Sequence, residues 1–201
     1  MYYLSNKNFT VEITLDDTYT VNSSDNVIKY DKILDPMGIK EYYKILRIAI
    51  THKSESQLIG LVCRFLTYES CADLRDNDLV ILSENYLLSL DLKKCEIAAV
   101  QKLDIFKSTF GIYPYKEDFI IYGELDIARV DKNFNMLWNV GGADIFVTQD
   151  GTLPFEMNGN RITARDWLGN VYSIGYDGEW KIVRSEENVN TFSGQDTPEN
   201  P

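Results

Sequence analysis

The amino-acid sequence predicts an all-β chain: a partial β-propeller, or a stack of small antiparallel sheets, built from repeats of about 40 residues. Three observations predict it. Short apolar runs bounded by Gly, Asn and Asp fill the stretch from Glu117 to Lys181, the pattern of antiparallel strands joined by tight turns. Aromatic side chains are abundant, with 13 Tyr and 9 Phe against 4 Met, and aromatic residues suit a pleated surface better than a helix. Segments far apart in the chain also keep step with one another, as set out below.

Taken in order, Phe9, Val11, Ile13 and Leu15 alternate with Thr10, Glu12 and Thr14, the period-2 signature of a half-buried strand. Asp16-Asp17 is expected to turn the chain into a hairpin partner at Tyr19-Thr20-Val21, with a polar loop at Asn22 to Asn26 and a short run at Val27 to Tyr30. Asp35-Pro36-Met37-Gly38 marks a break, because proline biases the residue before it away from helix. One helical turn is expected from Ile39 to Tyr43. Lys44 to Ile50 reads as a strand, Thr51 to Ser56 as a loop and Gln57 to Leu66 as the antiparallel partner. Thr67 to Asp78 reads as a polar connection anchored by Cys71 and Leu74, long enough to hold a helical turn.

Beyond it the pattern repeats. Leu79-Val80-Ile81-Leu82 aligns with Phe119-Ile120-Ile121-Tyr122, Leu90-Asp91 with Val130-Asp131, and Ile97 with Leu137, each 40 positions apart. A third copy begins near Ile162, and Trp180 falls 42 positions after Trp138. A unit of this size cannot bury both faces of its small sheet and must lean on neighbours. With degenerate copies between Lys44 and Leu66 and at the N-terminus, four or five units are expected. They form a single all-β domain over residues 1–184, clearest at 79–181, followed by an acidic disordered tail at 185–201 whose only large apolar residues are Val189 and Phe192. A sandwich or barrel with coincidental spacing is the competing architecture.

Hydrophobic residues at 44% and charged residues at 25% place the chain among ordinary globular proteins. The N-terminus lacks the basic and apolar regions of a secretory signal, and no apolar run is long enough to span a bilayer, so a cytoplasmic location and no membrane partner are expected. A net charge of −11 repels phosphate backbones, which argues against nucleic acid and allows attraction of a basic partner. Four of the acids, Glu186, Glu187, Asp196 and Glu199, lie in the tail.

No catalytic device is legible. His52 is the only histidine, which rules out a multi-histidine metal site, and it reads as a solvated loop residue. Cys63, Cys71 and Cys95 lack CxxC spacing and read as buried free thiols. Asp-x-Asp-x-Asp-Gly spacing is absent, so no calcium loop of that type is expected. Acidic residues gather at Glu117, Asp118, Glu124, Asp126, Asp131, Asp144 and Asp150; those beside Asn or Gly, such as Asp131, Asp150 and Asp177, read as turn residues that bond their own backbone. Trp138 and Trp180 occupy repeat-equivalent positions and are expected to pack between sheets, whereas Trp167 breaks the register and is the better candidate for an exposed contact.

The segments Gly123 to Asp131, Leu137-Trp138, Asp144 to Val147 and Arg165 to Tyr172 together resemble a group of uncharacterised small bacterial proteins with WD40-like or quinoprotein-like half-propeller folds. The resemblance covers about Leu79 to Glu179. It implies no enzyme activity, and some members of the group are thought to stand beside secreted toxins as immunity partners. The Thr-Gly pair that precedes the tryptophan in quinoprotein repeats is replaced here by Asn133-Phe134-Asn135, so no cofactor is expected. The functional expectation is a non-catalytic interaction module, with Glu117, Asp118, Glu124, Asp126 and Trp167 as partner-binding residues and a basic protein such as a toxin nuclease as partner. A carbohydrate-binding or carbohydrate-active protein using Trp167 and nearby carboxylates, and a structural module without a ligand, are the alternatives.

Overall fold

A computed structural model describes residues 2–64 and 70–184, and among the described residues it contains strands and no helix. The expected tail at 185–201 lies outside the described residues. The chain divides into two compact units, Met1–Asn139 and Val140–Pro201.

The first unit opens with β1 (Tyr2–Ser5), β2 (Phe9–Asp16), β3 (Lys32–Leu34), β4 (Lys44–His52) and β5 (Glu55–Cys63). They form one sheet in the order β1-β2-β4-β5-β3, antiparallel except for β3, which runs parallel to β5. The N-terminal and Lys44 segments, expected as separate degenerate copies, therefore share a single sheet. Tyr19 to Val21 does not pair with β2. Asp16 Oδ1 instead accepts bonds from the Thr18 and Tyr19 amides, which curls the chain away, and the whole edge of β2 is taken by β4. The helical turn expected at Ile39 to Tyr43 is absent: Asp35 Oδ1 caps the Ile39 amide and Tyr42 sits at φ 53°, outside the helical region. Thr51 to Ser56 is likewise not a loop, because β4 and β5 run on to a two-residue turn at Lys53-Ser54. Tyr30 and Ile33, the latter on the neighbouring strand β3, lie so close to Gly60 of β5 that a Cβ there would meet Ile33 Cδ1 at 2.5 Å.

The repeat then appears as two four-stranded meanders. β6 (Ala72–Arg75), β7 (Asp78–Ser83), β8 (Tyr86–Asp91) and β9 (Glu96–Lys102) form one; β10 (Thr109–Tyr115), β11 (Asp118–Gly123), β12 (Asp126–Val130) and β13 (Met136–Gly141) form the other. The aligned segments Leu79–Leu82 and Phe119–Tyr122 lie on β7 and β11, the second strand of each. Alternation sends Leu79, Ile81, Leu88 and Leu90 into a core shared with Val11, Ile13, Ile48 and Ile59 of the first sheet. The opposite face sends Val80, Leu82 and Leu87 into a second core with Phe119, Ile121, Ala128 and Val130. The inner strands β7 and β8 are thus apolar on both faces because they are covered on both, as the unit length required. Arg75 ties these two meanders at one end, its guanidinium 3.8 Å from the Phe119 ring centroid and bonded to the carbonyls of Glu117 and Asp118. Cys63, Cys71 and Cys95 are all buried.

In the second unit β14 (Phe155–Asn158), β15 (Arg161–Arg165), β16 (Val171–Gly175) and β17 (Trp180–Arg184) form a third meander, in that order. One face carries the cross-strand rows Phe155–Ala164–Tyr172–Ile182 and Met157–Ile162–Ile174–Trp180; the other carries Glu156–Thr163–Ser173–Lys181. Period-2 alternation alone produces this division into an apolar and a polar face. Among the described residues no helix is long and apolar enough to cross a membrane.

Candidate functional site

The four acidic residues singled out from the sequence do not form one face. Glu117 and Asp118 lie at the β10–β11 turn, whereas Glu124 and Asp126 lie at the β11–β12 turn, and the six residues of β11 separate the two ends. At roughly 3.3 Å per residue the separation is on the order of 20 Å. Asp118 is held by Arg129, whose Nε donates to Oδ2 at 2.8 Å and whose guanidinium lies 4.9 Å from the Tyr115 ring centroid. Glu117 pairs with Lys132 at 3.0 Å. Half of the expected acidic face is therefore already neutralised by its own chain. Glu124 and Asp126 line a small cleft with Phe106, Lys107 and Leu125, and Asp126 accepts a bond from Asn139.

Trp167 stands in the second unit and walls a cleft of about 340 Å³ with Thr148, Gln149, Asp150, Thr152 and Arg165. The loop that carries it is built by Asp166, only 1% exposed. Its carboxylate accepts the Asn170 amide and side chain and the Tyr172 hydroxyl, at 2.9, 2.9 and 2.8 Å. Gly169 follows at φ 81°, a conformation glycine reaches without strain, and closes the turn by donating to the Asp166 carbonyl. Trp167 is fixed on both sides of its peptide: its N–H donates to the Ile145 carbonyl at 2.8 Å, and its carbonyl accepts from Gln149 Nε2 at 3.0 Å. Trp167 nonetheless stays 42% exposed, with Leu168 at 53% after it.

The polar groups of the cleft are tied to neighbouring groups of the same unit. Both Asp166 oxygens are occupied, and burial together with the neighbouring Asp166 pushes the Tyr172 phenol above its ordinary range. The Thr152 amide and hydroxyl hold Asp150 below the usual carboxylate range, leaving it a charged acceptor at the rim. Arg165 is anchored to the Leu153 carbonyl and to Glu156 at 3.0 Å. Two carboxylates line the cleft, Asp150 at the rim and the buried Asp166, and the oxygens of Asp166 are taken up by Asn170 and Tyr172. Among the described residues no group of three His, Cys, Asp or Glu stands together as a metal site.

The other expectations resolve residue by residue. Asp131 serves its turn as expected, bonding the Asn133 and Asn135 amides, and Asp177 bonds that of Glu179. Trp180, expected between sheets, is 50% exposed because β17 is the outermost strand of its sheet; Trp138 is half-buried. His52 is not a loop residue: it ends β4, stacks on Phe9 at 4.7 Å and bonds the Asn8 carbonyl through Nδ1. The sequence reading missed Thr148, Gln149, Thr152 and Arg165 as cleft residues. They come from segments with no shared periodicity, and only the broken register at Trp167 signalled the place.

No family model and no curated protein matches this chain. Among solved structures it is similar to BamB from Moraxella catarrhalis, at 13% identity and a TM-score of 0.43, covering 72% of this chain and 47% of that one. Hsv2 from Kluyveromyces lactis is similar at 13% identity and a TM-score of 0.44, covering 73% and 48%. The computationally designed Ika8 protein is similar at 7% identity and a TM-score of 0.46, covering 73% and 46%. The matched part of this chain spans less than half the length of each, and the fold assignment rests on the meanders themselves.

Proposed function

We propose that this chain is a non-catalytic binding module that holds a protein partner at the Trp167 cleft. The observation that carries the reading is Trp167 itself, exposed at the side chain and pinned at the backbone. An aromatic side chain ordered in advance loses little entropy on binding, and Trp and Arg are the residues that most often dominate interface energetics. Leu168 beside Trp167 in the chain is also exposed, and Asp150 and Gln149 in the cleft supply polar groups that would fix orientation.

The finer reading makes the partner a basic protein, as an immunity-type protein masking a toxin would require. Its support is the net charge of −11, which speeds encounter with a cationic partner. The pairing of Asp118 with Arg129 and of Glu117 with Lys132 shifts that support from a dedicated acidic face to the charge of the whole chain. A reducing compartment such as the cytoplasm is the setting that would keep the three buried cysteines as thiols. The union of an indole with Asp150 and Gln149 also favours a second reading, a saccharide ligand in the same cleft.

Affinity capture from the lysate of the producing cell tests the proposal, using wild type, Trp167→Ala and Leu137→Ala as bait. A basic protein retained by wild type and Leu137→Ala, lost with Trp167→Ala and weakened as salt rises from about 0.05 to 0.5 M, is the expected result. Identical retention by all three baits overturns it. Glycan-array binding that vanishes in Trp167→Ala, with no protein captured, replaces it with the saccharide reading.

A further inference from the structure

The polar face and the apolar face of the β14–β17 sheet both run out at β17. Along one face, the rows Met157–Ile162–Ile174 and Phe155–Ala164–Tyr172 continue onto Trp180 and Ile182. Ile162, Ala164 and Ile174 are fully buried and Tyr172 is 1% exposed, but Trp180 is 50% and Ile182 is 46% exposed. Along the other face, the row Glu156–Thr163–Ser173 ends on Lys181, an exposed cation with no ion-pair partner among the described residues. As the last strand in the sheet, β17 also turns one row of backbone N–H and C=O groups outward.

We propose that β17 takes an extended segment of a protein partner as a fifth strand, and that the segment has the alternating pattern apolar, acidic, apolar. The two apolar residues prolong the rows that end at Trp180 and Ile182, and the acidic residue lies across from Lys181. Cross-strand pairs of these kinds are the unit of sheet stabilisation, and strand addition supplies the backbone bonds irrespective of sequence. A second copy of this chain fits the same edge poorly. The antiparallel register that joins both apolar rows, Trp180 across from Ile182 of the other copy, sets Lys181 directly across from its own counterpart, and like charges in that position repel. Lys181 therefore both selects an acidic strand and discourages self-pairing. The surface is separate from the Trp167 cleft and does not depend on it.

The experiment uses the full chain, isotope-labelled, with two synthetic blocked peptides, Thr-Val-Glu-Val-Thr and Thr-Val-Lys-Val-Thr, read by amide shifts and by Trp180 fluorescence. Shifts confined to Trp180–Arg184 and β16, with the Glu peptide binding two- to fivefold tighter, are expected, since a cross-strand charge pair contributes up to about 1 kcal/mol. Lys181→Glu reverses the preference towards the Lys peptide and Trp167→Ala leaves it unchanged. Equal binding of both peptides by wild type, or shifts that map elsewhere, overturns the proposal. So does a concentration-dependent dimer of wild type that Ile182→Lys abolishes, which would make the occupant a second copy.

Discussion

Removing one hydroxyl, in Tyr172→Phe, should destabilise the second unit by about 2–4 kcal/mol. The Tyr172 oxygen donates to Asp166 Oδ2 at 2.8 Å and accepts from the Ala143 amide at 2.8 Å. A bond to a charged group contributes roughly 1.5–3 kcal/mol and a neutral one roughly 0.5–1.5 kcal/mol, and both partners here would be left in a place with little access to water. The ring itself stays, so its edge contact with Phe146 at 5.4 Å and its contact with Trp180 at 5.9 Å are retained and no cavity term enters. Urea unfolding followed by tryptophan fluorescence measures the change. With a denaturant slope of about 2 kcal/mol per molar, the midpoint should fall by about 1–2 M. A midpoint within about 0.2 M of wild type, at unchanged slope, would refute the argument that Asp166 and Tyr172 build the Trp167 loop.

Three further outcomes follow from particular contacts. Gly60→Ala places a Cβ 2.5 Å from Ile33 Cδ1 and 3.1 Å from Ile45 Cγ2; because Ile33 must shift, thermal unfolding should show a loss of about 1–3 kcal/mol, and an unchanged transition would mean that Ile33 does not pack against Gly60. Asp78 has its carboxyl raised by burial and by the facing Asp91 and nearby Asp76, so the folded state holds that proton more tightly than the unfolded one and ionisation costs stability above the folded value. Asp78→Asn should raise the Tm at pH 7 and leave it little changed in acid, and a lower Tm at pH 7 contradicts the sign. For Asp16 the sign is opposite: burial raises its carboxyl, but bonds from Tyr30, Thr18 and the Thr18 and Tyr19 amides outweigh it. Its contribution is present above the ordinary value of 3.8 and is lost as pH falls through the lower folded value, so Asp16→Asn should flatten the acid limb of a stability-against-pH curve.

The repeat was legible because the second, third and fourth strands of each meander carry their apolar residues in the same register. Leu79–Leu82 and Phe119–Tyr122 are apolar at every position since β7 and β11 are covered on both faces, and no loop keeps such a run. The first strands were not legible. Ala72–Arg75 alternates around two charged residues, and Thr109–Tyr115 contains Pro114, which a sheet tolerates there because β10 is an edge strand. Nor was the length of the β4–β5 hairpin, whose tip Thr51 to Ser56 is polar because it is exposed, not because it is a loop. Of the site, Trp167 could be read because it broke the repeat. The acidic residues misled, since sequence proximity of Asp118 and Glu124 says nothing about the strand that holds them at opposite ends. Their partners Arg129 and Lys132 were in view, but only the diagonal geometry of β11 and β12 makes the pairing necessary.

The central claim is that the β14–β17 meander, through the loop built by Asp166, presents Trp167 to a protein. A photo-crosslinking amino acid placed at position 167, compared with the same group at the exposed position 137, tests it inside the producing cell. One adduct of discrete mass formed at 167 and missing at 137 is the predicted result; no adduct at either position, or the same adducts at both, would contradict it.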